Sequence, residues 1–214
     1  MEALFVRLSD EKKKRIINAC LEEFGLNGYE RASTNSIVKR AGISKGALFS
    51  YFGNKKKLFL YLFDYSTEFL VDRISAVKCK QPSDLFERFI WYGLLKIKIF
   101  AEEPYISKLV LSSVTNMPEE LRCDLEGRIN RLYAKNIPWF LENIDMSKFK
   151  EGIDPQKVLE FVSIFIEGMS CKYMKKHKGR SSEEIFNETD KIIGEYNEYL
   201  EMLKHGIYKI RGER

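Results

Sequence analysis

Imidazole is nearly absent from this chain: among 214 residues only His177 and His205 supply it. Two histidines do not make a histidine-rich metal site, so no metal is expected. No G-x-G-x-x-G, Walker, H-E-x-x-H or G-x-S-x-G pattern occurs either. No cofactor follows, and with few acid–base candidates the chain reads as something other than an enzyme. Cysteine is scarce and unpaired. Cys20, Cys79, Cys123 and Cys171 lie 59, 44 and 48 residues apart with no C-x-x-C, which suits free thiols in a reducing compartment. Long apolar runs are missing too, so nothing reaches the roughly 20 residues of a membrane span. The opening stretch MEALFVRLSDEKKKR lacks the basic-then-apolar order of a signal peptide. The expectation is a cytoplasmic protein with no membrane partner. Alternating apolar and polar residues, the mark of a half-buried strand, are also lacking.

Helical periodicity is what the chain has instead. Ile16, Ile17, Cys20, Leu21 and Phe24, and later Leu58, Leu62, Phe69 and Ile74, recur at the spacing of buried helix faces. Helix punctuation falls at Gly25 to Gly28, Gly42, Gly53-Asn54, Gln81 to Ser83, Pro104, Met117-Pro118, Asn143 to Pro155 and His177 to Ser182. About nine helices result, an all-α fold with 44% hydrophobic residues to fill its core. Asp154-Pro155 and Ser181-x-x-Glu184 have the form of helix starts. The first helices read as Asp10 to Leu26, Thr34 to Ala41 and Lys45 to Tyr51. Gly42 permits the left-handed turn between the last two and Ser44 caps the next helix, the grammar of a helix-turn-helix.

The charge is unevenly placed. Residues 1 to 60 hold twelve Lys/Arg and six Asp/Glu, a balance of +6; subtracting these from 36 and 31 leaves 24 and 25, or −1, for the remainder. A polyanion-binding head on a neutral body fits that asymmetry, as does a solvated charged surface. Lys45 and the run Lys55 to Lys57 stand at helix amino ends, where cations are unfavourable unless an anion binds there. Gly46 stands in the first turn of a short helix at a cost of about 0.5 to 1 kcal/mol. Two reasons are open: close approach of that turn to DNA, or tight packing of another helix on the glycine.

The segment TNSIVKRAGISKGALFSYFGNKKKLF, Thr34 to Phe59, resembles the DNA-binding signature of the tetracycline-repressor (TetR) family. Phe24, Gly28 and Tyr29 match the family's ending of helix one, so the resemblance covers about the first 60 residues. It implies a three-helix helix-turn-helix DNA-binding domain over 1–55 and a helical ligand-binding and dimerisation domain over 56–214. Thr34, Tyr51 and Lys55 would hold phosphates. Ser44, Lys45, Gly46 and Ala47 would meet backbone and base edges at the head of the recognition helix. Phe49 replaces a tyrosine and offers apolar contact, for instance to a thymine methyl; Ser50 adds little to direct readout. Lys56 and Lys57 replace residues that are often acidic in the family, which implies stronger nonspecific attraction to DNA.

For the body, the resemblance implies an inducer chamber, and the aromatic residues there suit a mostly apolar small molecule. Phe63, Phe89, Tyr92, Tyr105, Tyr133 and Phe165 are the expected lining. Pro138, inside a helical run, is expected to kink it. Two stripes suit a seam between protomers or packing within one chain: Leu159, Val162, Ile166, Met169 and Tyr173, and then Ile185, Thr189, Ile192, Tyr196, Tyr199 and Leu203. The functional expectation is a homodimeric transcription regulator, a repressor released from a palindromic double-stranded operator by its ligand. A helical protein-interaction module with a degenerate DNA head, or a small helical enzyme, is the alternative.

Overall fold

The computed structural model of the chain describes residues 2–77, 81–177, 180, 184 and 187–208. Among them are ten α-helices: α1 Glu2–Val6, α2 Asp10–Arg31, α3 Thr34–Ala41, α4 Lys45–Phe52, α5 Lys55–Ser75, α6 Leu85–Glu102, α7 Pro104–Thr115, α8 Arg122–Leu141, α9 Pro155–Lys176 and α10 Thr189–Ile207. Two 3-10 turns, Glu119–Leu121 and Met146–Lys148, join them. No strand forms among the described residues, only an isolated bridge between Phe149 and Tyr208. No helix among them is long and apolar enough to cross a membrane, and no cluster of potential metal ligands forms. Cys20 and Cys123 are free thiols; Cys79 and Ser181, with its capping box, lie outside the described residues.

The chain divides into two compact units, Met1–Arg73 with Ile99–Ile129, and Ile74–Lys98 with Asn130–Arg214. In the first, Ile16, Cys20 and Phe24 of α2 are buried together with Ile37, Ala41, Leu48, Leu58, Leu62 and Leu109. Phe59 packs edge-on against Phe24 and Tyr29 at 5.1 and 5.2 Å, a favourable arrangement of aromatic rings. Burial of the Cys20 thiol pushes its pKa up to about 12, which leaves it inert. The break expected within Gly25 to Gly28 falls at Gly28, whose φ of 64° only glycine adopts readily; α2 kinks there and continues to Arg31. Gly25 is instead a packing glycine: a Cβ there would meet the Tyr105 carbonyl oxygen of α7 at 3.0 Å.

The second unit has its own core of Leu85, Phe86, Ile144, Phe149, Val158, Val162, Leu200, Ile207 and Tyr208. Arg88, only 1% exposed, organises its loops. Its guanidinium donates to the carbonyls of Pro82 at 2.6 Å, Phe140 and Glu142 at 2.7 Å and Asn143 at 3.4 Å. These bonds satisfy the carbonyl end of α8, where a cation is favoured. Asp84 caps α6 through the Phe86 and Glu87 amides and binds Lys148 at 2.7 Å. Pro138 lies inside α8 as expected, where it removes one helical donor.

Candidate nucleic-acid interface

The turn between α3 and α4 follows from three local choices. Gly42 takes the left-handed conformation, φ 62° and ψ 42°, and ends α3. Ser44 then caps α4, its hydroxyl accepting the Ala47 amide at 3.1 Å. Asn54 does the same for α5, accepting the Lys57 amide at 2.8 Å. At α3 the cap is Ser33, one residue before Thr34, accepting from the Ser36 amide at 3.3 Å.

A buried carboxylate holds this framework. Glu23, 4% exposed, accepts the Ser33 amide at 2.9 Å and the Asn27 side chain at 3.0 Å, with Arg40 at 3.5 Å. Arg15 donates to the Ala41 carbonyl at 2.9 Å, so both ends of α3 are fastened to α2. Sequence reasoning missed Glu23. The signal was there: it lies seven residues after Ile16 on the apolar face of α2, where an unpartnered carboxylate would be costly.

The first turn of α4 is open. Ser44, Lys45, Gly46 and Ser50 are exposed, while Ala47, Phe49, Tyr51 and Thr34 are half-buried. A Cβ at Gly46 would meet nothing nearer than Ser44 Oγ at 3.9 Å, an ordinary contact. Tight helix packing does not explain this glycine.

The lysines divide in two. Lys55 Nζ donates to the Glu30 carbonyl at 3.1 Å and lies 5.0 Å over the Tyr29 ring. Although at the amino end of α5, its charge thus sits at the carboxyl end of α2, where the helix dipole favours it. Lys56 binds Asp124 at 2.9 Å and the Glu120 carbonyl at 3.1 Å. That pairing offsets the extra attraction to DNA expected from Lys56. Lys45 and Lys57 are exposed and make no ion pair among the described residues.

Of the expected ligand-lining residues, Phe89, Tyr92 and Tyr133 belong to the second unit. Phe89 and Tyr92 pack on Phe140 at 5.0 and 5.3 Å, and Tyr92 lies 6.3 Å from Trp139. Tyr133 lies near enough to influence the Tyr92 phenol, which burial raises to about 12. Phe165 packs against that unit's core. Phe63, fully buried, and Tyr105, exposed, belong to the first unit.

The seam stripes need correction. Val162, Met169 and Tyr173 are buried within their own unit, and Leu159 and Leu203 pack against its core. Tyr196 stacks on Tyr173 at 5.0 Å. Glu195 joins α9 to α10 through Tyr173 at 3.0 Å, Lys176 at 3.1 Å and Lys172 at 3.2 Å, and Lys172 reaches Tyr199 at 2.9 Å. Those lysines and Tyr173 hold the Glu195 carboxyl down at about 2. Ile192 is half-buried; Ile185 and the side chains of Ile166 and Thr189 lie outside the described residues. The described residues of the two stripes thus pair α9 with α10 inside one chain. Among the described side chains of α9 and α10, the large apolar groups left open are Phe161 at 47%, Ile164 at 61% and Met202 at 70% exposure.

Residues 16–62 match the family of bacterial regulatory proteins described as the tetR family. The nucleoid occlusion factor SlmA of Glaesserella parasuis is 24% identical over 170 residues, 78% of this chain and 82% of that protein. In fold, the chain is similar to a gamma-butyrolactone receptor (ArpA like protein), with TM-score 0.60, 16% identity and coverage of 94% and 90%. A transcriptional regulator of Aquifex aeolicus described as TerR/AcrR family gives TM-score 0.58, 19% identity and coverage of 90% and 99%. With the helix-turn-helix in place and the family signature falling on its exposed turn, residues 16–62 are similar to the DNA-binding region of bacterial regulatory proteins of the tetR family.

Proposed function

We propose that the chain acts in the cytoplasm as a homodimeric repressor, released from a palindromic operator by a mostly apolar small molecule. The observation that carries the DNA contact is the open first turn of α4, where Gly46 meets only Ser44 Oγ. In this reading residues 1–55 are the DNA head and 56–214 the ligand-binding and dimerising body. Ser44, Lys45, Gly46 and Ala47 approach the major groove, with Phe49 and Ser50 behind them. Thr34, Tyr51 and Lys55 take phosphates, and Lys55 exchanges its Glu30 carbonyl bond for one. Phe161 and Ile164, three residues apart on α9, with Gly168 one turn on, support an isologous interface with a second copy. The aromatic group around Tyr92 supports the chamber, and a gamma-butyrolactone receptor of the same fold is compatible with one.

Selection of bound duplexes from a randomised pool, followed by anisotropy titration, tests this reading. A palindromic consensus bound by two protomers is expected. Enrichment of no sequence, or of single half-sites bound by one chain, would overturn it.

A further inference from the structure

One cation in the second unit stands over an aromatic ring rather than beside a carboxylate. Phe89 lies three and four residues before Tyr92 and Gly93, and Lys96 four and three residues after them, on one face of α6. The Lys96 ammonium lies 4.5 Å from the centre of the Tyr92 ring. It forms no ion pair among the described residues. Two further observations mark a recess along this face. Lys96 is exposed in its own right, yet its surroundings desolvate the ammonium enough to lower its pKa to about 8. A side chain both accessible and desolvated lines a hollow, since an outward-pointing lysine would be hydrated. Beside it, a Cβ on Gly93 would meet nothing within 4 Å.

An uncompensated, desolvated cation is costly, and its charge attracts an anion more strongly there than in bulk water. The neighbouring walls, Tyr92 with Phe140 and Trp139, are aromatic and apolar. We infer that Lys96 receives the negative end of an amphiphilic anion, a ligand with an aromatic or aliphatic body and a single carboxylate-like head. This rests on the proposal that the body holds a small molecule, and it adds the charge of that molecule. The Tyr92 ring steadies the ammonium through its π face and leaves the opposite side for the anion.

Two fluorescent probes of nearly one shape make the test: 8-anilinonaphthalene-1-sulfonate, an anion, and N-phenyl-1-naphthylamine, its neutral counterpart. The full chain should bind the anion about tenfold tighter than the neutral probe, as a charge-assisted contact warrants. Lys96→Met should abolish that preference, leave the neutral probe's affinity within about twofold and melt no lower than the parent. Gly93→Leu should block both probes without lowering the melting temperature. The anion's affinity should also fall as pH rises through about 8 in the parent but not in Lys96→Met. Tyr92 on α6 and Tyr196 on α10 stay uncharged in that window, burial holding both near 12; Tyr133 on α8 and Lys172 and Tyr173 on α9 are further ionisable groups near these rings, and the Lys96→Met control removes their part. Equal binding of the two probes, unaltered by Lys96→Met, would overturn the role of Lys96 while leaving the chamber intact. Binding of neither probe would overturn the chamber and this inference together.

Discussion

The Lys55 ammonium donates to the Glu30 carbonyl at 3.1 Å, so a cation placed at the start of α5 serves the end of α2. Neighbouring lysines of one sequence run therefore have different duties. Lys45→Ala should lower the slope of log affinity against log salt by about one unit, equally for operator and random duplex, without changing the melting temperature. Lys56→Ala should leave the slope within a few tenths, because Asp124 already pairs with Lys56. Salt titrations of both variants check this; equal slope losses would contradict the division.

Glu23 joins three partners across α2 and α3, and replacing it should loosen the head before anything else. Glu23→Ala leaves the Ser33 amide without its acceptor and is expected to cost about 1 to 3 kcal/mol. Glu23→Gln retains one acceptor oxygen and should cost less. Urea titrations of the three proteins give the order; an unchanged Glu23→Ala midpoint would show that water replaces the carboxylate.

Ile164 tests association without touching the core. Because Ile164 is 61% exposed in the single chain, Ile164→Glu should keep the helical spectrum and yet sediment as monomer at micromolar concentration. Val162→Ala, at a fully buried position, should instead lower the melting temperature. A stable Ile164→Glu dimer would place the interface elsewhere.

Asp84 supplies a pH test. Burial pushes its carboxyl up, but Lys148 and the Glu87 and Phe86 amides together hold it below the usual aspartate value. A depressed folded-state value means that its stabilisation is complete above the unfolded value near 4 and is lost as pH falls through the lower folded one. Asp84→Asn keeps a capping acceptor but cannot titrate. Between pH 5 and pH 3 the parent's urea midpoint should fall further than the variant's; parallel falls would remove Asp84 from the account.

Local grammar was legible where a single residue decides the backbone. Gly42, Ser44, Asn54 and Asp154-Pro155 each mark a turn or cap through their own chemistry, and each is found in that role. Within Gly25 to Gly28 the break falls at Gly28 while Gly25 admits the Tyr105 backbone, and two glycines with such different duties look alike in one sequence. The apolar stripe of Val162, Met169 and Tyr173 gave the buried face of α9 without naming what covers it, since periodicity is the same for a second chain and for α10. Arg88 illustrates the remaining gap. Burial of its guanidinium depends on carbonyls brought together by the fold, and no spacing within α6 encodes them.

Gly46 offers the most direct test of the DNA contact proposed for α4. Its surroundings are open, so Gly46→Ala creates no clash and replaces a poor helix former with a good one. The melting temperature should hold or rise, by up to about 1 kcal/mol of stability. Operator affinity, titrated on the same preparation, should fall by about tenfold or more, because the added methyl stands where backbone approaches the duplex. A Gly46→Ala protein that melts no lower and binds the selected operator as tightly as the parent would contradict the account.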